Sequence, residues 1–117
     1  MTSYVLGDSD KETDRLNIQL VLFENETIRT LKLAGIKQGI RCLDIGCGLG
    51  QTSLLMSRLI GKSGNVVGLD INKDNIKACR RKTYHNDNVD FVAADILRDT
   101  TILRDFSPFD LLLVSGI

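Results

Sequence analysis

The residues of this chain best suited to chemistry lie in one short stretch, RCLDIGCGLGQ, Arg41 to Gln51. Three glycines, Gly46, Gly48 and Gly50, alternate along it directly after an apolar run, and Asp44 stands two residues before the first. A glycine-rich turn between a strand and a helix admits backbone conformations closed to other residues. It also lets a ligand come close to the main chain and to the helix N-terminus. The dinucleotide-binding spacing G-x-G-x-x-G would need its third glycine at 51 or 53, depending on the register, and those positions hold Gln51 and Ser53. The stretch reads D-x-G-x-G-x-G instead. A carboxylate is unwelcome beside a pyrophosphate, but it suits a ligand that carries positive charge and hydrogen-bond donors.

Other chemically capable residues are scattered. Cys47 lies inside the glycine stretch, where a small residue is the simpler reading than a nucleophile. His85 lies in the polar run TYHNDN, which reads as a solvated loop. Cys42, Cys47 and Cys79 make an odd count with no C-x-x-C pair, as expected of reduced thiols in a reducing compartment. No metal site is expected. Asn25-Glu26-Thr27 is formally a glycosylation acceptor, idle without a secretory signal, and none is recognisable in residues 1–20. No run approaches the ~20 apolar residues that span a bilayer, so no membrane role and a cytoplasmic location are expected. Fifteen basic residues balance fifteen acidic ones, which makes a nucleic-acid partner unlikely on charge.

The surrounding elements must hold the glycine stretch in place. With 117 residues, 43% of them apolar, the chain suits one domain that buries roughly 65% of its unfolded surface. Residues 8–35 read as helical. Asp8, Ser9 and Asp10 are candidate caps, one apolar face runs through Leu16, Leu20 and Phe23, and a second through Ile28, Leu31 and Ala34. A break is expected near Glu24 to Glu26. IRCLDIG reads as a strand, LGQTSLLMSRLIG as a helix stopped by Gly61, and NVVGLD as a second strand. NKDNIKACRRKT reads as a helix capped by Asn72, with Ile71 and Ile76 spaced for a hydrophobic staple. VDFVAAD and FDLLLVSGI supply a third and a fourth strand. The repeated ILRD, at 96–99 and 102–105, reads as a turn or short helix of no architectural meaning. Helices alternating with near-continuous apolar strands imply an α/β fold with a parallel sheet covered on both faces.

At this point LDIGCGLG resembles the first motif of the class I S-adenosylmethionine-dependent methyltransferases. The family places an acid at the end of its second strand, where VVGLD has Asp70, and another after its third strand, where FVAAD has Asp95. FDLLLVSG matches its fourth strand, and the resemblance runs over residues 26–117. It implies a Rossmann-like, doubly wound sheet of strand order 3-2-1-4 preceded by N-terminal helices. The domains expected from it are a helical segment, 1–36, covering the site, and an S-adenosylmethionine-binding half-domain, 37–117. It also implies cofactor contacts. Asp44 would sit at the amino-acid end, holding the ammonium directly or through water. Gly46, Cys47, Gly48 and Gly50 would run along the methionine and ribose. Asp70 would accept from both ribose hydroxyls, and Ile71 would pack on the adenine. Asp95, with the Ile96 N–H, would meet the exocyclic amine. Each acid also has a plainer role: Asp70 could favour the next helix, and Asp95 could cap the next segment.

The family's sheet has seven strands, and four are recognisable here; the C-terminal half of that sheet is missing. A fragment of a longer methyltransferase is expected, or a homodimer paired along the apolar edge of the fourth strand. No residue is singled out as catalytic. Enzymes of this class acting on base amino groups often carry N-P-P-Y after the fourth strand, where this chain has Ser115-Gly116-Ile117. A small-molecule acceptor is therefore expected. The alternative is a non-catalytic binding or association module. A nicotinamide-dependent oxidoreductase is disfavoured by Asp44 and by the glycine spacing. Tyr4 and Arg15, ahead of the core, are expected at the surface or in packing rather than in the site.

Overall fold

Four short apolar runs become four strands, since β-branched and leucine side chains pack well on a pleated surface covered from both sides. A computed structural model describes residues 11–106 and 108–116. The strands are β1 (Arg41–Ile45), β2 (Asn65–Asp70), β3 (Val89–Ala93) and β4 (Leu111–Val114). They form one parallel sheet of order β3-β2-β1-β4, as the family resemblance implies. The register sets Asp44 of β1 between Gly68 of β2 and Leu113 of β4. The two central strands are the most buried: Cys42, Leu43, Asp44, Val66 and Val67 are wholly covered.

The helices are α1 (Lys11–Leu33), α2 (Gln51–Ile60), α3 (Lys73–Thr83) and α4 (Thr101–Phe106). One face of the sheet packs against the first three, through Leu31 of α1, Met56 and Ile60 of α2, and Ile76 and Cys79 of α3. The other face packs Leu43, Val67 and Leu69 against Ile102, Leu103, Phe106 and Phe109. The second ILRD lies in α4 and the first in the turn before it. Because α4 has only 6 residues, it leaves Leu112 and Val114 of β4 about half exposed, so the fourth strand is not covered on both faces as its composition implied.

Two local expectations fail. α1 runs unbroken through Glu24–Glu26, because no glycine or proline interrupts its hydrogen bonding there. Its face of Leu16, Leu20 and Phe23 stays largely exposed while Leu31 enters the core. The candidate caps Asp8, Ser9 and Asp10 lie outside the described residues. Asn72 does cap α3, its side chain accepting from the N–H groups of Asp74 and Asn75. Ile71, however, is 71% exposed although Ile76 is buried, so the staple does not cover it. The exposure leaves Ile71 at the mouth of the sheet's C-terminal crevice.

Candidate functional site

The parallel strands all point their C-terminal ends at one side, where open α/β sheets take their ligands. At the end of β1 the chain must turn sharply into α2. It does so with Gly46, Gly48 and Gly50 all in the left-handed region, at φ 72°, 56° and 84°. These conformations favour glycine, which accounts for the alternation in the sequence. Gly46 is crowded as well: a Cβ there would lie 1.7 Å from the carbonyl oxygen of Gly116, just past β4. At Gly48 a Cβ would meet nothing within 4 Å. Gly46 thus serves packing, while Gly48 presents bare backbone to an open crevice.

The loop is pinned from three directions. The Cys47 N–H donates to the Leu69 carbonyl of β2 at 2.8 Å. The Gly48 N–H donates to Asp70 Oδ2 at 2.8 Å, and the Asn72 N–H donates to Asp70 Oδ1 at 2.8 Å. The Lys82 ammonium donates to the Leu49 carbonyl at 3.3 Å. Asp70 therefore holds the glycine loop and the start of α3 together. A carboxylate has about four acceptor sites, and these two bonds leave each oxygen able to accept another.

Asp44 is placed differently from the other acids. Its side chain is wholly buried under the loop, where the Ser53 hydroxyl donates to Oδ2 at 2.6 Å and the Ser115 hydroxyl donates to Oδ1. Burial pushes its pKa above the ordinary carboxylate value. The two serine hydrogen bonds oppose that shift, and the Asp70 charge adds to it. Asp44 ties β1 to α2 and to the end of β4. Ser115 reinforces the tie with its N–H on the Ile45 carbonyl at 3.1 Å. Both Asp44 carboxylate oxygens thus accept from serine hydroxyls.

Asp95 is half-buried past β3. Its Oδ1 accepts from the Leu97 N–H at 3.0 Å, so it makes the cap that was its plainer reading, and Oδ2 lies 3.6 Å from the exposed Arg98. Ile96 packs behind it against the Leu43, Val67 and Leu69 cluster. Asp70, Ile71 and Asp95 thus follow neighbouring strand ends, beside the glycine loop. His85 is exposed and stacks on Tyr84, with ring centroids 3.8 Å apart, in the loop after α3. Arg15 pairs with Glu12 on the exposed part of α1, and Tyr4 lies outside the described residues.

Beside Ser115 a cleft of about 210 Å³ opens between β4 and α1, with Phe23, Glu26, Thr27 and Thr30 on one wall and Thr52 and Leu113 on the other. α1 thus lines this cleft. A larger groove, about 560 Å³, lies at the outer edge of β3 around Arg80, Tyr84 and Phe106; no residue of the glycine loop lines it. Sequence reasoning missed Ser53, Ser115 and Cys79. The signals available were a small polar residue in the first turn after the loop and another directly after β4. Cys79 gave none, because its role depends on how α3 packs.

All three thiols are free and buried. Burial, with the Asp110 and Asp44 carboxylates nearby, pushes Cys42 up to about 11. Burial likewise raises Cys47 and Cys79. Cys47 is therefore held as a protonated thiol in the closed loop, not as a resting nucleophile.

Comparison with known proteins bears on the fold and the family. Residues 36–117 match the model of a family described as a methyltransferase domain. A demethylmenaquinone methyltransferase of Staphylococcus aureus is 30% identical over 96 residues, which are 80% of this chain and 39% of that protein. This chain therefore spans about two-fifths of the length of the curated relatives it matches. A protein-L-isoaspartate O-methyltransferase structure superposes with a TM-score of 0.68 at 29% identity, covering 75% of this chain and 27% of its own. The fold also matches Aeropyrum pernix fibrillarin, whose structure holds S-adenosyl-L-methionine. There the TM-score is 0.65 at 21% identity, over 69% of this chain and 35% of that one. With its glycine loop, its sheet order and most of its length accounted for, the chain belongs to the class I S-adenosylmethionine-dependent methyltransferase family.

Proposed function

We propose that residues 37–117 bind S-adenosylmethionine across the ends of β1, β2 and β3, and that residues 1–36 cover the site. The observation that carries this reading is Gly48: its N–H is held by Asp70 and no atom stands where its Cβ would be. A ligand can lie flat on that backbone, with Asp70 beside it to accept from a diol. Ile71, exposed at the mouth, offers an apolar surface for a purine, and Asp95 with the Ile96 N–H would meet its edge. Gly46, Cys47 and Gly50 keep the loop in shape, and Asp44 acts from below by fixing Ser115. Bound S-adenosylmethionine supplies an electrophilic methyl on a sulfonium. These residues would hold it, orient it and leave the methyl facing an acceptor, and such positioning carries most of a group transfer.

The acceptor is read as a small molecule. The cleft beside Ser115 is of small-molecule size, with Phe23 and Leu113 as apolar walls and Glu26 and Thr30 as polar ones. The staphylococcal relative is named for an acceptor of that kind. Three buried free thiols favour a reducing compartment, the cytoplasm. No described helix is long and apolar enough to cross a membrane.

A second reading, a non-catalytic module that associates with another copy, draws on β4. Leu112 and Val114 are 55% and 53% exposed on an edge strand. Turnover with any acceptor speaks for the first reading. A dimer that binds cofactor without turnover, and that Leu112→Lys splits, speaks for the second.

Calorimetric titration with S-adenosylmethionine, its demethylated product and NADH tests the cofactor claim. Saturable binding of the first two, absent for NADH and lost in Asp70→Ala, is the expected result. Absence of binding by a chain that circular dichroism shows to be folded would overturn it.

A further inference from the structure

Beneath the glycine loop lies a pair of thiols that the proposed function does not use. Cys47 stands in the loop, and Cys79 reaches it from α3. Both sulfurs lie at one main-chain oxygen, the Gly48 carbonyl. Cys79 donates to this oxygen at 3.3 Å, and Cys47 Sγ lies 3.9 Å from it. The Gly48 peptide is therefore held on both sides, by Asp70 at its N–H and by the thiol pair at its carbonyl. Cys79 packs tightly under the loop: a Cβ on Gly50 would come within 3.1 Å of its sulfur. Cys42 is different. It is wholly buried within β1 and has no thiol partner among the described residues.

We infer that Cys47 and Cys79 are an oxidisable pair, joined into a disulfide by hydroperoxides, and that the bond closes the cofactor site. The chemistry is a two-step oxidation. The Cys47 sulfur, the more exposed of the two at 6% against 1%, attacks the peroxide oxygen; the O–O bond breaks, giving a sulfenic acid and an alcohol or water. The Cys79 sulfur then displaces water from that sulfenic acid, forming the S–S bond. Two thiols and one peroxide give one disulfide, one water and one alcohol, or two waters with hydrogen peroxide itself. Glycine on both sides of Cys47 lets the loop move toward Cys79. Burial keeps both thiols protonated in the closed loop, so attack waits for the loop to lift, and a ligand holding the loop down slows it.

The bond removes the thiol that holds the Gly48 carbonyl and draws Cys47 toward α3, shifting the Gly48 peptide away from Asp70. Disulfide formation stands independently of the proposed function; its effect on the cofactor rests on that reading.

The test uses the full chain, reduced and then treated with hydrogen peroxide, with and without excess S-adenosylhomocysteine. The expected result is a Cys47–Cys79 linked peptide by mass spectrometry and a fall from three titratable thiols to one in denaturant, with Cys42 left free. Formation should be slowed by the ligand. Affinity for S-adenosylhomocysteine should drop at least tenfold and return with dithiothreitol. Cys42→Ala should still form the bond and Cys79→Ala should not; the peptide map decides the point even if Cys79→Ala fails to fold. Three free thiols after treatment, or a disulfide through Cys42, would overturn the pair. A mapped Cys47–Cys79 bond with unchanged affinity would overturn the closure. Failure of the reduced chain to bind at all would count against the proposed function, while the thiol count would still judge the pair.

Discussion

Asp70 at the end of β2 and Gly48 in the loop after β1 are joined by a hydrogen bond of 2.8 Å across 22 residues of sequence. The same carboxylate holds the Asn72 N–H, so it organises the loop and the start of α3 together. Asp70→Ala is expected to remove this tie and the acceptors for a ribose diol. Hydrogen bonds to a charged group contribute about 1.5–3 kcal/mol each, so losing two weakens S-adenosylmethionine binding by roughly 100- to 10,000-fold. Stability should fall by about 1–2 kcal/mol. Calorimetry and urea unfolding on the same samples check the two numbers separately.

Gly46 and Gly48 share a left-handed backbone but differ in what surrounds them. Gly48→Ala has open space for its methyl and should cost only the conformational penalty, about 1–2 kcal/mol. That methyl would stand where the ligand lies, so a folded protein with strongly impaired binding is expected. Gly46→Ala drives a methyl into the Gly116 carbonyl, and a loss of about 3 kcal/mol or more is expected. Unfolding midpoints rank the two variants, and binding by Gly48→Ala at wild-type strength would remove the support that Gly48 gives the proposed site.

Asp44 gives a pH signature. Its folded pKa is raised above the ordinary 3.8, chiefly by burial. Between 3.8 and the raised value the folded state binds more proton than the unfolded one. This group's contribution is therefore full below 3.8 and is lost as pH rises through the folded pKa. Asp44→Asn, which keeps an acceptor for one serine and offers a donor to the other, should flatten that slope. Urea midpoints of both proteins from pH 3.5 to 7, compared as differences, measure it; parallel curves would rule the effect out.

Asn72 caps α3 through two backbone N–H groups, at 2.9 and 3.0 Å. Asn72→Ala should cost about 1 kcal/mol. Asn72→Asp should keep the cap and recover most of the loss in the same unfolding assay.

Much of this arrangement was legible in the residues themselves. The alternation of glycines announced three left-handed positions, because few other residues adopt them. The apolar runs IRCLD and NVVGLD announced strands buried on both faces, and alternating elements made the sheet parallel. Asn72 and Gly61 marked helix ends through their local chemistry alone. In each case the cause is short in range: a backbone angle, a cap or a period.

What the tertiary structure decided depends on which distant residues meet. The partners of Asp44 could not be read from its place before the glycines; packing of α2 and β4 buried it and gave its oxygens to Ser53 and Ser115, 9 and 71 residues away. Ile71 and Ile76 had the spacing of a staple, yet only Ile76 reached the core, because α3 turns that face to the sheet. α1 kept its continuity where a break was expected, since no residue forces one. The pairing of Cys47 with Cys79 had no sequence signature at all. It exists because α3 crosses beneath the loop, and only the folded chain brings those two sulfurs to one carbonyl.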